Sequence, residues 1–130
     1  MSGILRNMKL TAAALLLPFF ANAAGNELAQ CRKIFRDYVE ITFFPMPCFA
    51  GAIPGGLEPQ KFAELEKQKN LCGNLINTRY PEHIPEIRES LSVFAENHAK
   101  RFEHAAKHPN KFHTLCKRQI GKSVRLLQTY

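Results

Sequence analysis

The chain has 130 residues, with 18 lysines and arginines against 11 aspartates and glutamates, four cysteines and no tryptophan. This length fits one small domain, and a hydrophobic content of 45% with 22% charged residues is typical of a globular chain and not of a disordered one. Collagen-like, coiled-coil and low-complexity architectures are excluded, because Gly numbers only 7, Pro only 8, and no long repeat recurs.

Residues 1–23 have the pattern of a signal peptide. Two basic residues precede an almost unbroken apolar run at residues 10–20, which is followed by the tripeptide Ala-Asn-Ala. The run is shorter than the roughly 20 residues that a membrane-spanning helix requires, and the Ala-x-Ala pattern suits signal peptidase. We therefore expect cleavage before Ala24, a single mature domain of residues 24–130, and export to a bacterial periplasm or to the medium.

The first predicted helix covers about residues 26–44, where apolar residues recur three and four positions apart. Pro45 and Pro47 end it, because neither can continue the hydrogen-bond ladder. The segment around these prolines holds the large apolar residues Phe44, Met46 and Phe49. It forms either an exposed contact patch or a plug over the end of the domain, and we favour the plug because a small domain needs its large apolar side chains in the core.

Three further helices follow in the pattern of apolar residues. The second begins at Pro59, the third begins at Pro85, and the fourth follows Pro109 with Asn110 as its cap. Short links between long helices favour antiparallel neighbours, so the sequence predicts an all-α domain built as a disulfide-linked, up-down-up-down antiparallel four-helix bundle. Other packings of the same four helices remain open.

The four cysteines, Cys31, Cys48, Cys72 and Cys116, predict two disulfides, because an exported chain of this size with an even number of cysteines is typically cross-linked. Cys31 and Cys72 each lie about 20 Å from the loop that joins the first two helices, whereas Cys48 lies in that loop and Cys116 about 9 Å into the fourth helix, at the same end. A disulfide needs Cα atoms within about 7 Å. Only the pairing Cys31–Cys72 and Cys48–Cys116 joins cysteines that lie at similar heights along the bundle axis in both bonds. Zinc is disfavoured, because no two cysteines have the spacing of structural zinc ligands.

Charge is distributed unevenly along the chain. Residues 98–130 contain eight lysines and arginines and one acidic residue, Glu103, whereas residues 24–97 contain eight basic and ten acidic residues. Such an imbalance favours an anionic partner. Four of the five histidines also lie in the basic part, so acidification would steepen the imbalance. The residues that we predict to bind a partner are Lys111, Lys117, Arg118, Lys122 and Arg125.

The partner that this pattern favours is an acidic protein. By analogy of architecture alone, the chain is compatible with inhibitors or immunity-type proteins, which block another exported protein. The alternative is an anionic membrane or envelope surface, which the last helix would bind only if its apolar face left the core. Nucleic acid is disfavoured, because no aromatic residue alternates with the basic ones as a stacking platform requires. A basic face that is merely solvated is the remaining interpretation.

No catalytic residue, cofactor or metal site is predicted. The nucleophile pattern G-x-S-x-G is absent and the cysteines are assigned to disulfides, so an enzyme would need chemistry that no recognised motif carries. His104 and His108 lie four residues apart on a helix with His113 beyond them, but histidines beside lysines are more often solvent-exposed than metal-bound. His98 falls on the apolar stripe of the third helix, where we expect a core histidine that is hydrogen-bonded to a neighbour.

Overall fold

The computed structural model describes residues 24–49 and 57–130, so the predicted signal peptide lies outside the described residues. Two short 3₁₀ turns, Met46–Cys48 and Pro81–His83, accompany the α-helices, and the described residues contain no strand. The all-α fold is confirmed. Its four helices are α1 (Ala24–Thr42), α2 (Pro59–Arg79), α3 (Ile84–Ala106) and α4 (Pro109–Leu127).

The chain divides into two units, Met1–Lys33 and Ile34–Tyr130, and the division falls within α1. Of the first unit, the structure describes only the residues of α1 that precede Ile34. The second unit contains the end of α1 with the whole of α2, α3 and α4. No helix in the described parts of the chain is both long enough and apolar enough to cross a membrane.

Prolines begin two of the helices. α2 starts at Pro59 and α4 at Pro109, because a fixed φ and a missing N–H cost nothing in the first turn. The prediction that Asn110 caps α4 is wrong by two positions: His108, with φ −134° and ψ 107°, occupies the capping position. The proline is already helical there, since the first helical amide has no partner within its own helix.

α1 ends at Thr42, because the prolines of residues 43–49 cannot supply the amides that a further helical turn requires. Phe44 turns inward and is 4% exposed, whereas Phe43 and Met46 are 53% and 47% exposed. Phe44 therefore closes the core as part of the plug that we favoured, Phe49 is half-buried, and Met46 is not part of the plug. Phe43 and Met46 leave apolar surface in contact with solvent.

The hydrophobic core joins α1, α2 and α4. Ile41, Leu57, Leu65 and Leu127 form its buried cluster. Partly buried side chains surround this cluster, and they are Tyr38, Phe62, Val124, Leu126 and Tyr130. Burial of these apolar side chains is the main favourable contribution to folding, at about 25 cal/mol for each Å² removed from water.

Two polar side chains of α4 donate hydrogen bonds to a backbone carbonyl oxygen near the end of α1. The amide of Phe44 donates to the Val39 carbonyl oxygen, which leaves the Glu40 carbonyl oxygen without a backbone partner. Ser123 Oγ donates to that oxygen at 2.8 Å and Gln119 Nε2 donates to it at 3.4 Å. Both side chains are buried. The inner face of α4 is thus partly polar, because a buried carbonyl group needs hydrogen-bond donors.

A disulfide joins Cys48, just after the end of α1, to Cys116 in α4, with the two Cα atoms 5.6 Å apart. This bond confirms the partner that was predicted for Cys48 from the positions of the cysteines along the helices. Cys31 and Cys72 are also disulfide-bonded, so none of the four cysteines is free. The bond to Cys116 fixes the 43–49 segment against α4.

Candidate anion-binding groove

A groove of about 610 Å³ lies between the C-terminal half of α3 and the N-terminal half of α4. Beside it, the rings of Phe102 and Phe112 meet edge to face with centroids 5.9 Å apart, and this contact packs the two helices together. We term this space the basic groove. Its lining residues are Lys100, Arg101, His104, Ala105, Asn110, Lys111, Thr114, Leu115 and Arg118.

The polar groups of the basic groove are cations and neutral hydrogen-bonding groups. Two ammonium and two guanidinium groups line it, together with an imidazole, an amide and a hydroxyl, and none of its lining residues is acidic. Within residues 24–49 and 57–130, none of the four permanent cations forms an ion pair. Uncompensated positive charges around one concave space raise its local potential, so the groove attracts anions.

The floor of the basic groove is apolar. Ala105 is buried and Leu115 is half-buried, whereas the polar lining residues are exposed. A concave apolar floor with polar groups at its edges is the usual composition of a binding site.

The structure separates the five predicted partner-binding residues into two groups. Lys111 and Arg118 line the basic groove, whereas Lys117, Lys122 and Arg125 are exposed on α4 without lining it. Seven residues separate the first pair, so both project from the same side of the helix. Lys117 lies one position before Arg118 and projects about 100° away from it.

Lys122 has a structural partner. Its Nζ lies 2.5 Å from Oε1 of Glu40, whose side chain is only 9% exposed. A buried carboxylate needs such a cation, because the loss of one partner leaves an uncompensated charge in a poorly solvated place. Arg125 packs over Gly121, where an added Cβ would lie 3.2 Å from Nη1 of the arginine. Lys122 therefore links α4 to α1, whereas Arg125 lies along its own helix.

The α3 side of the basic groove was not among the residues predicted to bind a partner. Lys100, Arg101 and His104 line this side. Lys100 and His104 lie four positions apart and share one face of the helix, and Arg101 borders that face. The signal that could have identified them is their position just before the short link at Pro109. Two helices joined by a short link lie next to each other, so basic residues on both sides of the link are expected to be neighbours. Without the packing of α3 on α4, the positive charge of the last third of the chain could not be assigned to a groove.

His98 is the buried core histidine that the sequence predicts. Its ring lies flat on that of Phe44, with centroids 3.5 Å apart, and Nε2 donates to the Phe44 carbonyl oxygen at 3.3 Å. Nδ1 is buried without a hydrogen-bond partner in the described part of the chain. Burial lowers the pKa of His98 below its usual value, while the hydrogen bond to Phe44 acts in the opposite direction.

The lowered pKa of His98 predicts a loss of stability in acid. The unfolded chain takes up a proton at this side chain before the folded protein does, so the free energy of unfolding falls as the pH drops below about 6.5. We expect His98→Gln, which keeps a donor for Phe44 and does not titrate, to lose less stability than the wild type between pH 7.5 and pH 5. Urea unfolding at both pH values measures this difference. Equal losses in the two proteins would contradict the prediction.

His104 and His108 lie close together without a third candidate metal ligand beside them in the described residues. The rings of His104 and His108 meet edge to face with centroids 6.3 Å apart. Across residues 24–49 and 57–130, no three His, Cys, Asp or Glu side chains converge as metal ligands would. His104 is instead one of the groups that line the basic groove.

A second groove, of about 620 Å³, lies between α1 and α2 and has different chemistry. Asn70, Asn74 and Asn77 line one side of it, and the aromatic residues Phe35 and Tyr38 line the other. Amide groups both donate and accept hydrogen bonds and carry no charge. One cation, Lys69, also lines this groove, and its ammonium is paired with Glu66 at 2.9 Å. This groove therefore lacks the cluster of unpaired cations that distinguishes the basic groove.

No protein-family model, curated protein or solved structure matches this chain.

Proposed function

We propose that this chain is a small exported protein that binds an acidic protein partner through the basic groove. The observation that carries this proposal is that Lys100, Arg101, Lys111 and Arg118 surround one groove in which no lining residue is acidic. A role as an inhibitor or immunity-type protein, which blocks another exported protein, fits such a binding surface. An enzyme without a recognisable motif is the alternative class.

The packing of α4 favours a protein partner over an anionic membrane or envelope surface. A helix that docks into lipid buries its apolar face among the acyl chains. Here Leu127 is 1% exposed in the core, and Cys116 is tied to Cys48 by a disulfide. The charged outer face of α4 can contact a protein without any rearrangement, whereas insertion into lipid would require the helix to leave the core.

Charge reversal tests the proposed groove. The probe is fluorescein-labelled poly-L-glutamate, and binding is measured by fluorescence anisotropy at low and at physiological salt. We expect Lys111→Glu with Arg118→Glu to weaken binding at least about tenfold, because two attractive charges become repulsive. A second pair, Lys117→Glu with Arg125→Glu, should have a smaller effect because these residues lie outside the groove.

The matched control is Lys67→Glu with Arg88→Glu, which makes the same change of charge at exposed positions of α2 and α3 away from the basic groove. This control should bind the probe nearly as well as the wild type. Equal losses in the control and in the groove variant would show that only net charge matters. Tight binding to anionic vesicles without binding to poly-L-glutamate would favour the membrane alternative.

We infer export from residues 1–23 and from the state of the cysteines. Disulfides persist mainly in oxidising compartments, and the two disulfides of this chain support a periplasmic or secreted protein. Expression in an exporting bacterial host should yield a protein whose intact mass begins at Ala24. A purified protein that retains residues 1–23 would contradict the inference.

We also propose the antiparallel up-down-up-down arrangement for the four helices. Along α1 and the segment after it, Asp37 accepts a hydrogen bond from Tyr130 and Cys48 bonds to Cys116, so the order of partners is reversed along α4. The contact of Phe102 with the Phe112 ring across the short link supports the same relation for α3 and α4.

A further inference from the structure

The basic groove has positive charge on two opposite sides. Lys100, Arg101 and His104 form the α3 side, and Lys111 and Arg118 form the α4 side. Between them lies the apolar floor of Ala105 and Leu115 described above. A ligand that complements this groove carries an apolar strip with negative charges along both of its edges.

The spacing of the cations indicates the shape of that ligand. Lys111 and Arg118 are separated by two helical turns, about 10 Å along α4, whereas the cations of the α3 side lie within about one turn. Carboxylates seven residues apart on one edge of a helix, and three or four apart on the other, repeat at the same distances. A uniformly anionic chain has the charges but has no apolar strip for the floor.

We propose that the basic groove receives an amphipathic acidic helix of the protein partner, with its apolar strip on Ala105 and Leu115 and its carboxylates facing both basic sides. This inference rests on the proposed function and adds the kind of segment that binds. Charge complementarity along both edges selects an acidic helix, and burial of its apolar strip supplies the affinity that exposed ion pairs alone do not.

Two synthetic peptides of identical composition, each of about 20 residues, test the inference. In the first, leucines form one strip flanked by glutamates, and in the second the same residues are distributed around the helix. Circular dichroism records the helix content of both, and anisotropy records their affinity for the full mature protein. We expect the first peptide to bind about tenfold more tightly, because only its leucines reach the groove floor together.

Variants of the floor and the α4 side locate the binding. Leu115→Gln should remove most of the preference for the amphipathic peptide while leaving poly-L-glutamate binding within about twofold, since the charges are unchanged. Thr114→Glu, an exposed substitution that lines the groove, should weaken both peptides by repulsion. Thermal unfolding verifies that both variants fold. If Leu115→Gln proves unstable, Thr114→Glu still tests the location.

The possible outcomes separate this inference from the proposed function. Equal affinity for the two peptides, with poly-L-glutamate still bound at the groove, would overturn the acidic helix and leave the proposed function intact. If the protein binds neither peptide and does not bind poly-L-glutamate, both the acidic-helix inference and the proposed function are overturned. An affinity for the amphipathic peptide that neither Thr114→Glu nor Leu115→Gln lowers would also overturn the inference, because binding would then occur elsewhere.

Discussion

Replacing Cys48 and Cys116 together by alanine is expected to lower the free energy of unfolding by about 4 kcal/mol, the largest effect predicted for this protein. The disulfide closes a loop with a sequence separation of 68, and the entropy that it removes from the unfolded chain grows with the length of this loop. In the folded protein it also holds the segment containing the Phe44 plug against α4. Urea unfolding of the oxidised proteins gives the difference.

Met46→Ala is the matched control for the cysteine variant. Met46 belongs to the same 3₁₀ turn as Cys48 and is 47% exposed, so its truncation removes few contacts. We expect a change within about 0.5 kcal/mol for this control. A loss below about 1 kcal/mol in the double cysteine variant would contradict the prediction, because the bond would then contribute little beyond the packing around it.

Leu65→Ala is expected to destabilise the protein by about 3 kcal/mol, the second largest effect. Leu65 is 0% exposed and belongs to the cluster that joins α1, α2 and α4. Its truncation removes buried methyl groups and leaves a cavity that the surrounding side chains fill only in part. The free energy of unfolding in urea measures the loss at neutral pH.

Leu71→Ala provides the comparison within the same helix. Leu71 is 53% exposed, so the same chemical change creates no cavity there. The difference in helix propensity between leucine and alanine is small, and we expect the stability to change by less than about 0.5 kcal/mol. Similar effects of the two substitutions would show that the cluster around Leu65 is not the core of this domain.

Much of the fold could be predicted from residues that act locally. Prolines end a helix or begin one wherever they occur, so Pro59 and the prolines after Thr42 placed two boundaries within a few residues. The apolar stripe of the third helix predicted that His98 is buried, and a helical period places it on the same side as the buried Ile87 and Phe102. Cysteine count and helix length were enough to predict the bond between Cys48 and Cys116.

Polar residues with distant partners were not predictable in this way. Ser123 and Gln119 look like surface residues in the sequence. Both are buried, because they donate hydrogen bonds to a carbonyl oxygen of α1. Lys122 was grouped with the partner-binding residues, and the structure pairs it with the buried carboxylate of Glu40. These partners lie about 80 residues apart in the chain, so no local pattern relates them.

The sequence by itself determined the helical class, the positions of the helices and the concentration of positive charge after residue 97, because periodicity, proline and composition act over a few neighbouring residues. Only the tertiary structure decided which cations share a space. Lys100 and Arg101 face Lys111 and Arg118 because α3 packs beside α4, and that packing depends on contacts such as the one between Phe102 and Phe112. A binding groove between two helices is a property of their packing, so neither helix specifies it alone.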